Sequence, residues 1–191
     1  PEVEAGMGIP RETVALYGTL DKPKMISKKT EIDWTPKMKQ CIKERIRKLN
    51  DTDLCGYIFK SKSPSCGLTG IPVYSGTERN KARYGPGLFA KEYMRVFPLV
   101  PIEDEARLND AKLLEIFVVR VFSFHRLQNL LNKDFSNGAL VEFHTRHKFL
   151  LLAHSRKHYD LLGQLVANTT TLKSTEIKAL YSESFMEALH Y

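Results

Sequence analysis

Cysteine is scarce in this 191-residue chain: Cys41, Cys55 and Cys66 are an odd number with no C-x-x-C pair. That excludes a disulfide framework and a self-contained zinc site, and it makes a reducing cytoplasm the default compartment. Long apolar runs are missing too. The best are residues 149–153 and 116–119, far below the roughly 18 apolar residues of a membrane span, so no membrane partner is expected. Repeats with a period of about 20–50 residues and low-complexity tracts are absent, which leaves out solenoids and propellers. Neither an apolar signal core nor an Arg/Ser-rich transit face opens the chain. It starts at Pro1, and residues 182–191 keep helical apolar spacing at Phe185, Met186 and Leu189 with no Gly or Pro stop. The expectation is a chain truncated at both ends.

What is present is globular. With 42% hydrophobic, 27% charged and 10% aromatic residues, the chain buries a core, and disordered or collagenous classes are excluded. Its length fits one domain or one and a fraction at roughly 100–200 residues per domain. The net charge of +7 is local: residues 22–48 hold ten Lys or Arg against Glu31, Asp33 and Glu44. Such a patch can hold phosphates or nucleic acid, so RNA is an allowed partner; the commoner meaning is a solvated helix face.

Residues 2–10 carry two glycines and a proline in nine positions and read as a loop. A helix is expected over 35–49, with Thr35 as cap, Pro36 in the first turn, and Met38, Cys41, Ile42, Ile46 and Leu49 on one side. A short β run at 55–60, a loop rich in Ser and Gly at 61–70 and a strand at 71–74 follow. A Gly-Pro-Gly turn at 85–87 and a short helix through Met94 lead to a change of regime near Arg107. Beyond it the apolar spacing is helical, around Leu113 to Leu131, 140–153, 159–167 and 175–189. The expected fold is an α/β domain with a partial parallel, Rossmann-like sheet over residues 1–107, then an all-α domain over 108–191.

Ligands of open α/β sheets gather just past the carboxyl ends of strands, which makes the 61–70 loop the first candidate site. In it Cys66 lies between Pro64 and Gly67 with Lys60 and Lys62 close in sequence. Nearby cations favour the thiolate, the form that binds metal or attacks carbon. One Cys supplies one ligand, and iron–sulfur clusters take several. The alternative is a small Cys packed in a turn.

Three stretches, PEVEAGMGIPRE at 1–12, GYIFKSKSPSCG at 56–67 and FPLVPIEDEARL at 97–108, resemble the thiouracil desulfidase (TudS-like) family. LVEFHTRHKFLLLAHS at 140–155 resembles the YbgA-like helical domain that many members carry. The resemblance implies an enzyme that removes sulfur from 2-thiouracil-type bases without net redox change. It implies a 4Fe–4S cluster bound by three cysteines, with the open iron taking the substrate's sulfur. A soft sulfur suits such iron, and an open position is what a catalytic metal needs. Cys66 then matches the last cluster cysteine, Ser63 the active-site serine and Glu2 the acid of a C-P-E motif, with Glu4 second in rank. The other two cluster cysteines fall before Pro1, and Cys41 and Cys55 are not at family positions. Residues 1–191 alone are therefore expected to hold no cluster and to be inactive. The substrate is expected to be a small thiolated base or nucleoside; a non-catalytic RNA- or nucleotide-binding protein using the 22–48 patch is the alternative.

His144, His147, Leu151, His154 and His158 fall at spacings of 3, 4, 3 and 4, one face of a continuous helix. Four imidazoles there could bind metal. The simpler reading is an interhelical seam of histidines bonded to backbone or carboxylates. A helix start at Ser155 would rotate His158 off that face.

Overall fold

A computed structural model describes residues 1–75, 82–133, 135–169 and 172–190. The chain divides into two compact units, Pro1–Pro98 with Ile102–Asn109, and Leu99–Pro101 with Asp110–Tyr191.

The first unit runs β1 (Val14–Gly18), β2 (Pro23–Ser27), α1 (Thr35–Asn50), β3 (Tyr57–Phe59), β4 (Ile71–Tyr74), β5 (Ala82–Gly85), α2 (Leu88–Val96) and β6 (Ile102–Asp104). Four strands form a mixed sheet in the order β2-β1-β4-β5. β1 is parallel to β4, whereas the β1–β2 and β4–β5 pairs are antiparallel. A second sheet pairs β3 with β6 in parallel, Tyr57 opposite Ile102 and Phe59 opposite Asp104. The class is α/β, with the parallel component carried by the β1–β4 and β3–β6 pairs.

Helix α1 forms because Met38, Ile42 and Ile46 recur every four residues and are buried together, which places one apolar stripe on a core. Thr35 does not cap it. The Asp33 carboxylate accepts from the Thr35 N–H at 2.9 Å, while the Thr35 hydroxyl accepts from the buried Met25 N–H of β2 at 2.8 Å. A buried N–H without a partner costs more than a frayed helix end exposed to water, so the hydroxyl serves the strand. Helix α2 sets Phe89 and Tyr93 against Tyr57 and Phe59 of β3, with ring centroids 4.6–6.0 Å apart. This aromatic cluster fixes where β3 ends and the next loop begins.

The second unit contains α3 (Ala111–Asn132), α4 (Asn137–His154), α5 (Arg156–Ala167) and α6 (Ser174–Ala188). Three of the four starts have side-chain caps: Asp110 accepts from the N–H groups of Lys112 and Leu113, Ser136 from Ala139, and Ser155 from His158. Ser155 is extended and separates α4 from α5, so His158 leaves the face of His144 and His147. Those two histidines sit in a helical seam: His144 Nδ1 lies 3.1 Å from the Tyr181 hydroxyl of α6, and the His147 ring stacks on Phe143 at 4.1 Å. Among the described residues no group of three or more His, Cys, Asp or Glu is placed to hold a metal ion.

Candidate active site

The loop after β3 is fastened at both ends before any chemistry is placed on it. At its start, the Glu105 carboxylate just after β6 takes the Ser61 N–H at 2.6 Å, the Ser61 hydroxyl at 3.0 Å and the Lys60 ammonium. The Lys60 bond and then the Ser61 N–H hold Glu105 down at about 2. Further on, the loop carbonyls meet the first turn of α2. Pro64 O accepts from Leu88 N at 3.1 Å, and Ser65 O accepts from Phe89 N at 2.8 Å and from Ala90 N at 3.2 Å. Orphan N–H groups of a helix start are satisfied in this way, and the loop is tied to α2 through Pro64 and Ser65.

Two glycines permit the close approach. A Cβ on Gly87 would lie 2.5 Å from the carbonyl carbon and oxygen of Ser65, and one on Gly67 would lie 2.3 Å from the Ile71 side chain. No side chain fits either position without moving the loop.

On this frame four polar side chains converge. The Ser65 hydroxyl, fully buried, donates to Glu2 Oε1 at 2.6 Å and lies 3.0 Å from the Ser63 hydroxyl and 3.3 Å from Cys66 Sγ. Ser63 Oγ lies 3.3 Å from Glu2 Oε1 and accepts from the Cys66 N–H at 3.2 Å. Residues 61 positions apart in sequence, Glu2 and Ser63, are thus brought together. Glu2 is buried, and Arg11 Nη2 stands 3.6 Å from its Oε1. Burial pushes the Glu2 carboxyl up, but the Ser65 bond, its own backbone N–H and the Arg11 charge outweigh that and leave it below its ordinary value. It is an ionised, water-shielded carboxylate at neutral pH.

Cys66 behaves differently from the sequence expectation. Its thiol is pushed up by burial and by the Glu2 charge, against a lowering contribution from the Ser65 hydroxyl. Lys60, expected to favour the thiolate, is engaged by Glu105 instead. Glu4 is exposed and pairs with Arg45 of α1 at 3.0 Å, so it stands outside the Glu2–Ser65–Ser63–Cys66 cluster. Cys41 and Cys55 are half-buried and in no disulfide, Cys41 on α1 and Cys55 ahead of β3. Sequence reasoning missed Ser65 and Arg11. The flanking S-P-S-C run holds the signal for Ser65, since two hydroxyls beside one thiol are more than a turn requires.

The donor chemistry tests whether an iron–sulfur cluster fits. The described residues bring one sulfur to Glu2 and the serines, and clusters are held by several thiolates. Residues 1–191 by themselves do not fit the group.

A buried carboxylate, two serines and a thiol thus converge just past the carboxyl end of β3, a strand paired in parallel with β6. The family model described as 2-thiouracil desulfurase matches residues 1–105, more than half of the chain. The chain belongs to that family. A second model, described as a protein of unknown function (DUF1722), matches residues 148–191. The uncharacterized protein YbgA of Escherichia coli (strain K12) is 39% identical over 51 residues, 27% of this chain and 30% of that protein. The C-terminal region is YbgA-like, and the chain spans about 30% of the length of this curated relative. A solved structure of a 4Fe–4S-dependent thiouracil desulfidase, TudS, aligns at 20% identity with a TM-score of 0.45, over 60% of this chain and 70% of that one. No helix among the described residues is long and apolar enough to cross a membrane.

Proposed function

We propose that these residues form part of a desulfidase that exchanges the sulfur of a thiolated pyrimidine of the 2-thiouracil type for oxygen. The observation that carries this reading is the hydroxyl relay: Ser65 Oγ lies 2.6 Å from the Glu2 carboxylate and 3.3 Å from Cys66 Sγ, in a chain of the 2-thiouracil desulfurase family. In the reaction, the oxygen of water bonds to the thiocarbonyl carbon, the carbon–sulfur bond breaks, and sulfur leaves as hydrogen sulfide. One water enters, one hydrogen sulfide departs, and nothing is oxidised or reduced. Glu2, ionised and shielded, takes the proton from the attacking water and returns it to the departing sulfur. Ser63 orients the base through its hydroxyl, and Ser65 holds Glu2 in place. A 4Fe–4S cluster belongs to this reading only with thiolates from outside residues 1–191, because Cys66 supplies one.

Anaerobic sulfide release from 2-thiouracil tests the reading. Residues 1–191 alone should give none. A chain that also carries the further thiolates should turn over, Cys66→Ala should abolish turnover, and Glu2→Gln should lower kcat by about 100-fold or more, the usual range for a lost general base. Full turnover in Cys66→Ala rejects the reading.

A second reading, non-catalytic binding of RNA or a nucleotide, is favoured by a separate feature. A cleft of about 720 Å³ is lined by Lys22, Lys39, Lys43 and Arg95 together with Asp21 and Glu92, with Ile42 and Leu88 as apolar wall. Phosphate-driven binding there should weaken steeply with salt, whereas sulfur exchange should not.

A further inference from the structure

Helix α3 is apolar on the side that faces water as well as on the side that does not. Its inward face carries Phe117, Phe124 and Leu127, all buried. On the outward face Leu114, Val118 and Phe122 recur every four residues at 44%, 41% and 58% exposure, with Val121 half-buried beside them. A surface helix ordinarily sets charged and polar residues there. From position 116 to position 124 the only charged residue is Arg120, and it is buried, so the outward stripe carries no charge over about two and a half turns. Charges return at its two ends with opposite sign. Glu115 and Arg126 are both exposed, and they stand eleven positions apart, about three turns, which puts them on the same flank of the stripe.

We propose that this face of α3 docks a second copy of the chain, packed antiparallel about a two-fold axis, with Val118 of each copy against Phe122 of the other and Glu115 of each beside Arg126 of the other. The partner follows from the pattern. In a two-fold contact, if one residue touches a second, the second touches the first, so a face that pairs with itself must be its own complement. A stripe that reads acid, apolar, base along one flank meets that condition when the two helices run in opposite directions. The Val118–Phe122 pair is centred on residue 120 and the Glu115–Arg126 pair half a residue beyond it, so one axis serves both. A parallel pair would set Glu115 against Glu115 and Arg126 against Arg126, like charge on like. Charges at a rim fix register and orientation, and exposed ion pairs add little energy. The attraction comes from Leu114, Val118 and Phe122 leaving water. This inference is independent of the desulfidase reading, since it concerns the helical unit alone.

Analytical ultracentrifugation of residues 1–191 over a dilution series tests it. The expected result is a reversible monomer–dimer equilibrium that Phe122→Glu weakens by about 30-fold or more, the range of a lost aromatic contact at the centre of an interface. Phe122 is exposed, so the variant should keep its helices, which far-ultraviolet circular dichroism checks. Glu115→Arg and Arg126→Glu should each weaken the dimer by about fivefold or more, since the axis applies each change at both ends. Combined in one chain the two reversals should restore it, and so should mixing the two single variants. Positions so far apart on one helix, about 16 Å along its axis, do not pair within a chain, so rescue reports contact between copies. A monomer at every concentration overturns the proposal. So does a dimer indifferent to a folded Phe122→Glu, or charge reversals that fail to rescue each other. In a longer chain, a monomer whose fold is destabilised by Phe122→Glu would show the face occupied by residues outside 1–191, which also overturns it.

Discussion

At Gly87 a single methyl group would meet the carbonyl carbon and oxygen of Ser65 at 2.5 Å, and neither backbone atom can rotate away. Overpacking of this kind costs about 1–3 kcal/mol, and here the strain falls on the loop that carries Ser63, Ser65 and Cys66. Gly87→Ala should lower the urea midpoint and, in any turnover assay, reduce kcat although residue 87 touches no substrate; unchanged stability would mean that the loop yields freely. Ser65→Ala probes the same spot chemically. Burial alone pushes the Glu2 carboxyl up, and the Ser65 hydroxyl is the foremost group opposing it. Without that hydroxyl the Glu2 pKa should rise, which a carboxyl ¹³C titration reads directly. The linkage sign follows: a depressed carboxylate stabilises the fold above its unfolded value and loses that contribution as pH falls, so the variant should show less acid sensitivity from Glu2 than the wild type. The variant should also lose about 1–3 kcal/mol at neutral pH, the cost of leaving a buried acceptor without its donor.

Among the elements, α1 shows how a helix start can serve a strand. The Thr35 hydroxyl takes the Met25 N–H, both buried, so Thr35→Val keeps the shape and orphans the donor. We expect a loss of about 1–3 kcal/mol, measured as a shift in urea midpoint, with Thr35→Ser retaining most of the stability. The helical elements were legible in the sequence because each carries its own period: Met38, Ile42 and Ile46 repeat every four residues in α1, and the spacings beyond residue 109 lead to α3 through α6. The strand at β4 was legible from its bounding turn residues. β1 and β2 were not, since five-residue strands hold too few positions to establish a period, and Pro23 at the start of β2 reads as a loop residue. The β3–β6 pair joins residues over 40 positions apart, and no local pattern announces a parallel partner. The thiol was misread for a related reason, since burial, the largest cause of its rise, has no local pattern. Lys60 beside Cys66 in sequence pointed to a lowered pKa, but its partner Glu105 arrives from beyond β6.

Over the whole molecule the excess of positive charge, +7, bears on groups that are neutral when folded. In the helical unit His144, His147 and His190 are all lowered, first by burial, and then by His147 for His144, by Arg126 and Arg146 for His147, and by Arg120 for His190. The histidine stripe was legible as a spacing, as a helical seam and as a break at Ser155, whereas the Tyr181 partner of His144 arrives only on packing. The consequence is thermodynamic. An unfolded histidine titrates near 6.5, so just below that value the unfolded chain binds protons that the folded helices refuse, and stability must fall with pH. The loss accumulates from about pH 7 downward toward the folded values. The lowered carboxylates, Glu2, Glu12, Asp33, Glu92 and Glu105, contribute fully above their unfolded range and titrate lower still, while the raised thiols Cys55 and Cys66 act only at alkaline pH. The interval from about pH 7.5 to about pH 5.5 therefore isolates the histidines. Urea midpoints followed by far-ultraviolet circular dichroism should decline across it, and His144→Gln should flatten the decline by removing one of the three refused protons. A midpoint that holds constant over that interval would mean that the folded imidazoles accept protons as readily as the unfolded ones, and the helical seam would then have to be open to water.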